Sequence, residues 1–164
     1  MRKSYVWILL FGLVLPAALN AAASNRACEK NKAVARQLFE VALNQDNWDV
    51  YNKIHTADFV AHAGTRSESL EGDLKSAKGW RQAFPDGRYT IEQVVAEGDF
   101  VVVRFTGRGT NTGAGNGLPA TGKPIELTGV TIFRFTGGKI AEEWTEYDRM
   151  SLMRQLGLLP GGVH

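Results

Sequence analysis

The spacing of apolar positions changes along the chain, and each change marks a different kind of segment. From Tyr5 to Leu19 apolar residues run almost unbroken behind Arg2 and Lys3, and Ala21, Ala22 and Ala23 follow. A basic start, a short apolar run and an Ala-x-Ala end make up a secretory signal peptide. The run contains Pro16 and is shorter than the roughly 20 residues that span a bilayer, so removal rather than anchoring is expected. Cleavage after Ala23 is predicted, leaving residues 24–164 as a single domain. From Glu29 to Leu43, Val34, Leu38, Val41 and Ala42 recur at three- and four-residue steps, one face of an amphipathic helix. Asp46 or Asn47 then caps a shorter helix carrying Trp48, Tyr51 and Ile54. Phe59 to Ala63 reads as a strand. A third helix is predicted from Ser69 to Phe84, with Leu70, Leu74, Ala77 and Phe84 as its buried stripe, and Pro85-Asp86-Gly87 stops it.

After Arg88 the pattern shifts to runs of β-branched and aromatic residues bounded by glycine turns. Tyr89 to Ala96 and Phe100 to Gly107 flank Gly98-Asp99, and Ile125 to Phe135 and Lys139 to Tyr147 flank Gly137-Gly138, which gives two hairpins. A glycine-rich loop from Thr110 to Gly122 joins them. Asp148 caps a closing helix that ends at Gly157. Helices gathered ahead of antiparallel strands imply an α+β fold with the helices on one face of the sheet. In the strand from Ile125 the odd positions Ile125, Leu127, Thr131, Phe133 and Phe135 are the more apolar and are predicted to point inward. The last strand has no such bias.

Composition and charge narrow the function. The 164 residues are 44% apolar and 22% charged, close to the average for soluble domains. Without Arg2 and Lys3, 17 basic residues face 17 acidic ones, so neither a nucleic acid nor a membrane surface is an expected partner of the mature chain. Cys28, the single cysteine, has no partner for a disulfide within the chain. Neither a metal-ligand spacing nor a Gly-x-Ser-x-Gly elbow is present, and no metal or cofactor is expected.

The string Gly138-Lys139-Ile140-Ala141-Glu142-Glu143-Trp144, then Asp148 and Leu152-Met153-Arg154-Gln155-Leu156-Gly157, resembles the end of SnoaL-like polyketide cyclase and ester cyclase proteins. Phe84-Pro85-Asp86, Ala96-Glu97-Gly98-Asp99 and Leu118-Pro119-Ala120-Thr121-Gly122-Lys123 fall in the matching order upstream. The resemblance implies a cone-shaped fold of the nuclear-transport-factor superfamily, a curved antiparallel sheet wrapped around N-terminal helices and a deep apolar cavity. It also implies an inward face of Glu143, Thr145 and Tyr147 opposite Thr131 and Phe133, which together with Asp148 are the candidate ligand contacts. The cyclases' catalytic aspartate and histidine fall on Thr145 and Thr131, and a threonine cannot take and return a proton near neutrality. The adjacent carboxylate Glu143, at a position where many ester cyclase-like relatives carry histidine, is the candidate base, and the resemblance places His62, on the first strand, at a polar cavity-lining position as the candidate polariser. Asp148 carries a second reading as a helix cap.

The expected activity is binding of a small apolar carbonyl compound, with proton transfer next to the carbonyl in an aldol cyclisation or an isomerisation. The alternative is a binding module that uses the cavity without acid–base chemistry; a hydrolase or dehydratase on the same scaffold is a third reading. Trp144, Ile132 and Val130, on the opposite parity, point to a homodimer, and the leader points to a periplasmic or secreted location.

Overall fold

The computed structural model of the chain describes residues 14–159. Residues 1–13 of the predicted leader lie outside them; Val14 to Ala23 form the first turns of helix α1 (Val14–Gln37), whose side chains from Ala21 to Ala27 are exposed. Burial begins at Asn31 and continues through Ala35, Leu38, Phe39 and Ala42, at the three- and four-residue steps of a single face. The last turns, Leu38–Leu43, are π-helical: the Asn44 N–H bonds Phe39 O, five residues back, at 3.1 Å. Asn47 caps α2 (Trp48–Ile54), its side chain accepting from Val50 N at 3.0 Å.

Six strands follow: β1 (His55–Ala63), β2 (Arg66–Ser69), β3 (Arg88–Glu97), β4 (Phe100–Thr110), β5 (Pro124–Thr136) and β6 (Lys139–Tyr147). Helix α3 (Leu70–Ala83), capped by Ser69, lies between β2 and β3, and α4 (Arg149–Gln155), capped by Asp148, closes the described chain. Both predicted hairpins are present; Gly137 and Gly138 take positive φ angles of 59° and 78°, which a tight two-residue turn requires. β2 is too short and too polar to signal itself in the sequence.

The strands form one mixed sheet in the order β2-β1-β6-β5-β4-β3, antiparallel throughout except where β1 runs parallel to β6. The predicted inward parity of β5 holds, since Leu127, Gly129, Thr131, Phe133 and Phe135 are buried and their even neighbours are more exposed. In β6 the register passes from Arg134↔Glu142 to Phe135↔Ile140, which leaves Ala141 as an extra residue. Ile140 and Ala141 are therefore both buried, and beyond the bulge Glu143, Thr145 and Tyr147 share the inner face.

α1 packs across β3 and β4, α3 lies beside β1 and β2, and α4 packs on β5. Gln155 fixes α4 to the start of β5, accepting from Glu126 N at 2.8 Å and donating to Glu126 O at 2.9 Å. One apolar cluster gathers Leu38, Phe39, Phe105, Phe133 and Ile140; a second gathers Phe84, Leu118, Leu127, Leu152 and Leu156. Members of both line a single cavity between the helices and the concave face of the sheet.

Candidate active site

The cavity has a volume of about 500 Å³, within the range of small-molecule sites. Its wall is aromatic: Phe39, Trp48, Tyr51, Trp80, Phe84, Tyr89, Phe105 and Tyr147 all contribute. Trp80 stacks on Phe84 at 5.8 Å and meets Tyr147 edge-on at 6.0 Å, so the α3 wall is a rigid aromatic surface. Polar and charged side chains interrupt it, and two hydrogen-bonded groups of them are built from four elements.

β6 and β5 supply the first group. Thr131 and Thr145 face each other across the strand pair with hydroxyl oxygens 2.8 Å apart, and the Thr145 hydroxyl donates to Glu143 Oε1 at 2.8 Å. Glu143 keeps part of its surface accessible, but that surface faces the cavity, where the protein displaces most of the carboxyl's hydration. Burial is the largest cause that pushes its pKa up to about 8; the nearby Asp73 charge adds to this, and the Thr145 hydrogen bond partly opposes it.

The helices supply the second group. Tyr51, 2% exposed on α2, donates its hydroxyl to Asp73 Oδ2 on α3, and both line the cavity. Burial raises the Asp73 pKa, the Tyr51 hydrogen bond lowers it and the Glu68 charge raises it again. Tyr51 itself is held protonated, first by burial and then by Asp73. His55 supports this corner from beneath: its Nδ1–H donates to Tyr51 O at 2.6 Å, and its ring packs on Tyr51 and Phe59 at 4.6 and 4.5 Å. Burial lowers the His55 pKa to about 4, so the ring is neutral.

A family model for the SnoaL-like polyketide cyclase matches residues 33–156, most of the chain. The chain belongs to the SnoaL-like polyketide cyclase family. Among solved structures it is similar to AclR, a candidate hydroxylase from Streptomyces galilaeus, at 27% identity and a TM-score of 0.75, covering 83% of this chain and 90% of that one. It is equally similar in fold to a candidate SnoaL-like polyketide cyclase from Jannaschia sp. CCS1, at 26% identity, a TM-score of 0.75 and coverage of 80% and 94%. IdmH, a candidate polyketide cyclase from Streptomyces antibioticus, aligns at 28% identity and a TM-score of 0.68 over 77% of this chain and 98% of that one. No curated protein matches the chain.

Within this SnoaL-like cone the residues singled out from sequence divide into two sets. Glu143, Thr131, Thr145 and Tyr147 line the cavity together. Phe133, Asp148 and His62 do not. Phe133 is fully buried in the apolar cluster behind the wall. Asp148 accepts from Ser151 N at 2.8 Å and caps α4. His62 is on the outer face: its ring stacks on Trp144 at 4.8 Å, its Nε2 lies 3.4 Å from Glu142 Oε2 and its Nδ1 3.3 Å from Ser67 Oγ. The sheet thus stands between His62 and Glu143, and the expectation that they share a reaction centre is corrected. The cause is the pairing of His62 with Trp144, which puts the two on one face, whereas its neighbours Ala61 and Ala63 line the cavity. Asp73 and Tyr51 escape sequence reasoning. Asp73 sits among Glu71, Lys75 and Lys78, which read as a solvated helix face, and Tyr51 reads as part of a core stripe. Among the described residues no three His, Cys, Asp or Glu side chains converge as metal ligands.

Proposed function

We propose that this protein takes a small, largely apolar carbonyl compound into the cone and catalyses proton transfer next to the carbonyl, as a cyclase or isomerase does. The supporting observation is Glu143: a carboxyl with its pKa raised to about 8, bonded to Thr145 and set in an aromatic wall. A general acid–base group works best when its pKa lies near the working pH. The aromatic part of the wall accepts the body of such a compound, and the Glu143–Thr145–Thr131 group orients its carbonyl. The protein acts as a homodimer through the outer face of the sheet, and it works in the periplasm or outside the cell after removal of residues 1–23.

The second reading, a binding module without acid–base chemistry, draws support from Thr131 and Thr145, whose hydroxyls bond each other at the positions matched to the cyclases' histidine and aspartate. NMR-detected exchange of α-deuterium in a panel of apolar ketones and β-keto esters separates the two. Exchange that depends on the protein and falls at least a hundredfold in Glu143→Gln is expected, on the usual scale of acid–base catalysis. Line broadening of the compounds without exchange would establish the binding module instead.

A further inference from the structure

Two carboxyls reach the cavity from different elements, Glu143 from β6 and Asp73 from α3, and the Asp73 charge bears on Glu143. Their surroundings are not equivalent. Asp73 accepts the Tyr51 hydroxyl, a bond that favours its ionised form. Glu143 accepts one hydroxyl at Oε1, and no group among the described residues bonds its Oε2. Like charges in one apolar site do not both ionise readily, so the pair holds one proton between them at neutral pH. Burial raises the pKa of both, but the Tyr51 hydrogen bond opposes the rise at Asp73, while Glu143 is pushed up to about 8, which favours the proton on Glu143.

Building on the proton-transfer reading above, we propose that Asp73 and Glu143 are an acid–base pair, in which Asp73, positioned by Tyr51, takes the proton from carbon and Glu143 protonates the carbonyl oxygen. The C–H bond beside the carbonyl breaks, and its proton passes to the Asp73 carboxylate. The released electron pair forms the carbon–carbon double bond, the carbonyl π pair moves to oxygen, and oxygen takes the proton of Glu143. An enol, a protonated Asp73 and a Glu143 carboxylate result. Thr145 stabilises that carboxylate through the hydrogen bond it already donates. Return of a proton from Asp73 to carbon, and of the hydroxyl proton to Glu143, restores both groups.

The other titratable groups facing the pair are Tyr51 on α2, Glu68 on β2, Tyr89 on β3 and Tyr147 on β6, with Arg66, Lys75, Arg81, Arg88, Arg108 and Arg149 elsewhere in the wall. Arg81 is occupied by Asp46 and by the carbonyls of Leu43, Pro85 and Gly87.

The test is the α-deuterium exchange rate, measured with the same ketone panel against pH for the full chain and for Asp73→Asn, Glu143→Gln, their double variant and Tyr51→Phe. Asp73→Asn and Glu143→Gln are each expected to lower the rate at least a hundredfold, and the double variant to be no slower than the slower single one. Tyr51→Phe is expected to lower it about tenfold and to move the acid limb to higher pH, because Asp73 loses a bond that holds its pKa down. A merely structural tyrosine would lower the rate without moving the limb. Titration of the Glu143 carboxyl by ¹³C NMR gives a readout free of activity: Asp73→Asn should lower its pKa. An Asp73→Asn protein that exchanges at the parent rate, with Glu143→Gln inactive, overturns the pair while the proton-transfer reading stands. Absence of exchange in the parent chain overturns both.

Discussion

Glu143 weakens the fold wherever the unfolded chain would ionise it. A carboxyl whose pKa rises from 4.5 to about 8 on folding is protonated in both states at low pH, ionises first in the unfolded chain as pH rises, and ionises in the folded one only near 8. Its contribution is thus fully present below pH ~4.5 and is lost as pH rises through ~8, each tenfold difference in proton affinity between the two states being worth about 1.4 kcal/mol. Glu143→Gln should therefore be more stable than the parent above pH 8, by roughly 2–4 kcal/mol, and the gap should close below pH 4.5; urea melts across that range measure it. His55 acts in the opposite direction. Its pKa falls from 6.5 to about 4, so its contribution is present above 6.5 and is lost as pH falls through 4. In Glu143→Gln the acid-side loss carried by His55 should persist, together with that of Asp86 and Glu142, whose pKa values are held down chiefly by hydrogen bonds from Thr110 and Arg134. Glu143 was legible only through the family resemblance, since neither face of the last strand is the more apolar; Asp73 was not legible at all, since a carboxylate in a run of charged helix residues looks the same whether it faces water or a cavity.

Among the elements, the loop between β4 and β5 shows most clearly how a weak local signal becomes a fixed wall. Asn111, fully buried, donates to Ala83 O at 3.1 Å and Gly113 O at 2.9 Å, and its Oδ1 accepts from the Thr121 N–H and hydroxyl, each at 2.9 Å. A Cβ at Gly113 would run into the backbone oxygen of Gln82, so only glycine lets the loop lie this close to α3. Leu118 and Asn116 are thereby carried to the cavity. Asn111→Ala, which strands several buried partners, should cost about 3 kcal/mol, and Gly113→Ala about 1–3 kcal/mol, both read as a lowered denaturation midpoint. Sequence showed this stretch only as glycine-rich. The elements with strong periodicity or capping residues lie where the pattern put them, α3 over Leu70–Ala83 and α4 behind Asp148. What escaped was β2 and the bulge in β6, because a four-residue polar strand and one unpaired alanine exist only through their partners.

The whole molecule presents an outer face that a monomer has little reason to keep. Val95, Val102, Ile132, Trp144 and His62 pair successively across five strands and form a transverse apolar and aromatic row, with exposed Phe100 and Val130 close by. A second copy is the occupant we propose, and sedimentation should show that Trp144→Ala loosens the dimer while leaving ligand affinity within about twofold. An unchanged dimer would count against the interface. Mass analysis of exported protein should find Ser24 at the amino terminus. Fold class was legible from the order of helices and hairpins, but the parallel contact of β1 with β6 was not, since nothing within either segment names a partner some eighty residues away.

That contact also sets a clock. β1 is finished by residue 63, and the strand it lies against begins only at residue 139. Glu143 and Asp73 come to face one cavity only when that gap closes, so the finished cavity is among the last things a growing or refolding chain acquires. A sheet whose middle depends on so distant a pairing falls among the slower single domains, with folding times of milliseconds to seconds. A chain still waiting for residue 147 has helices and the β3–β4 hairpin, but not yet the strand that closes the cavity.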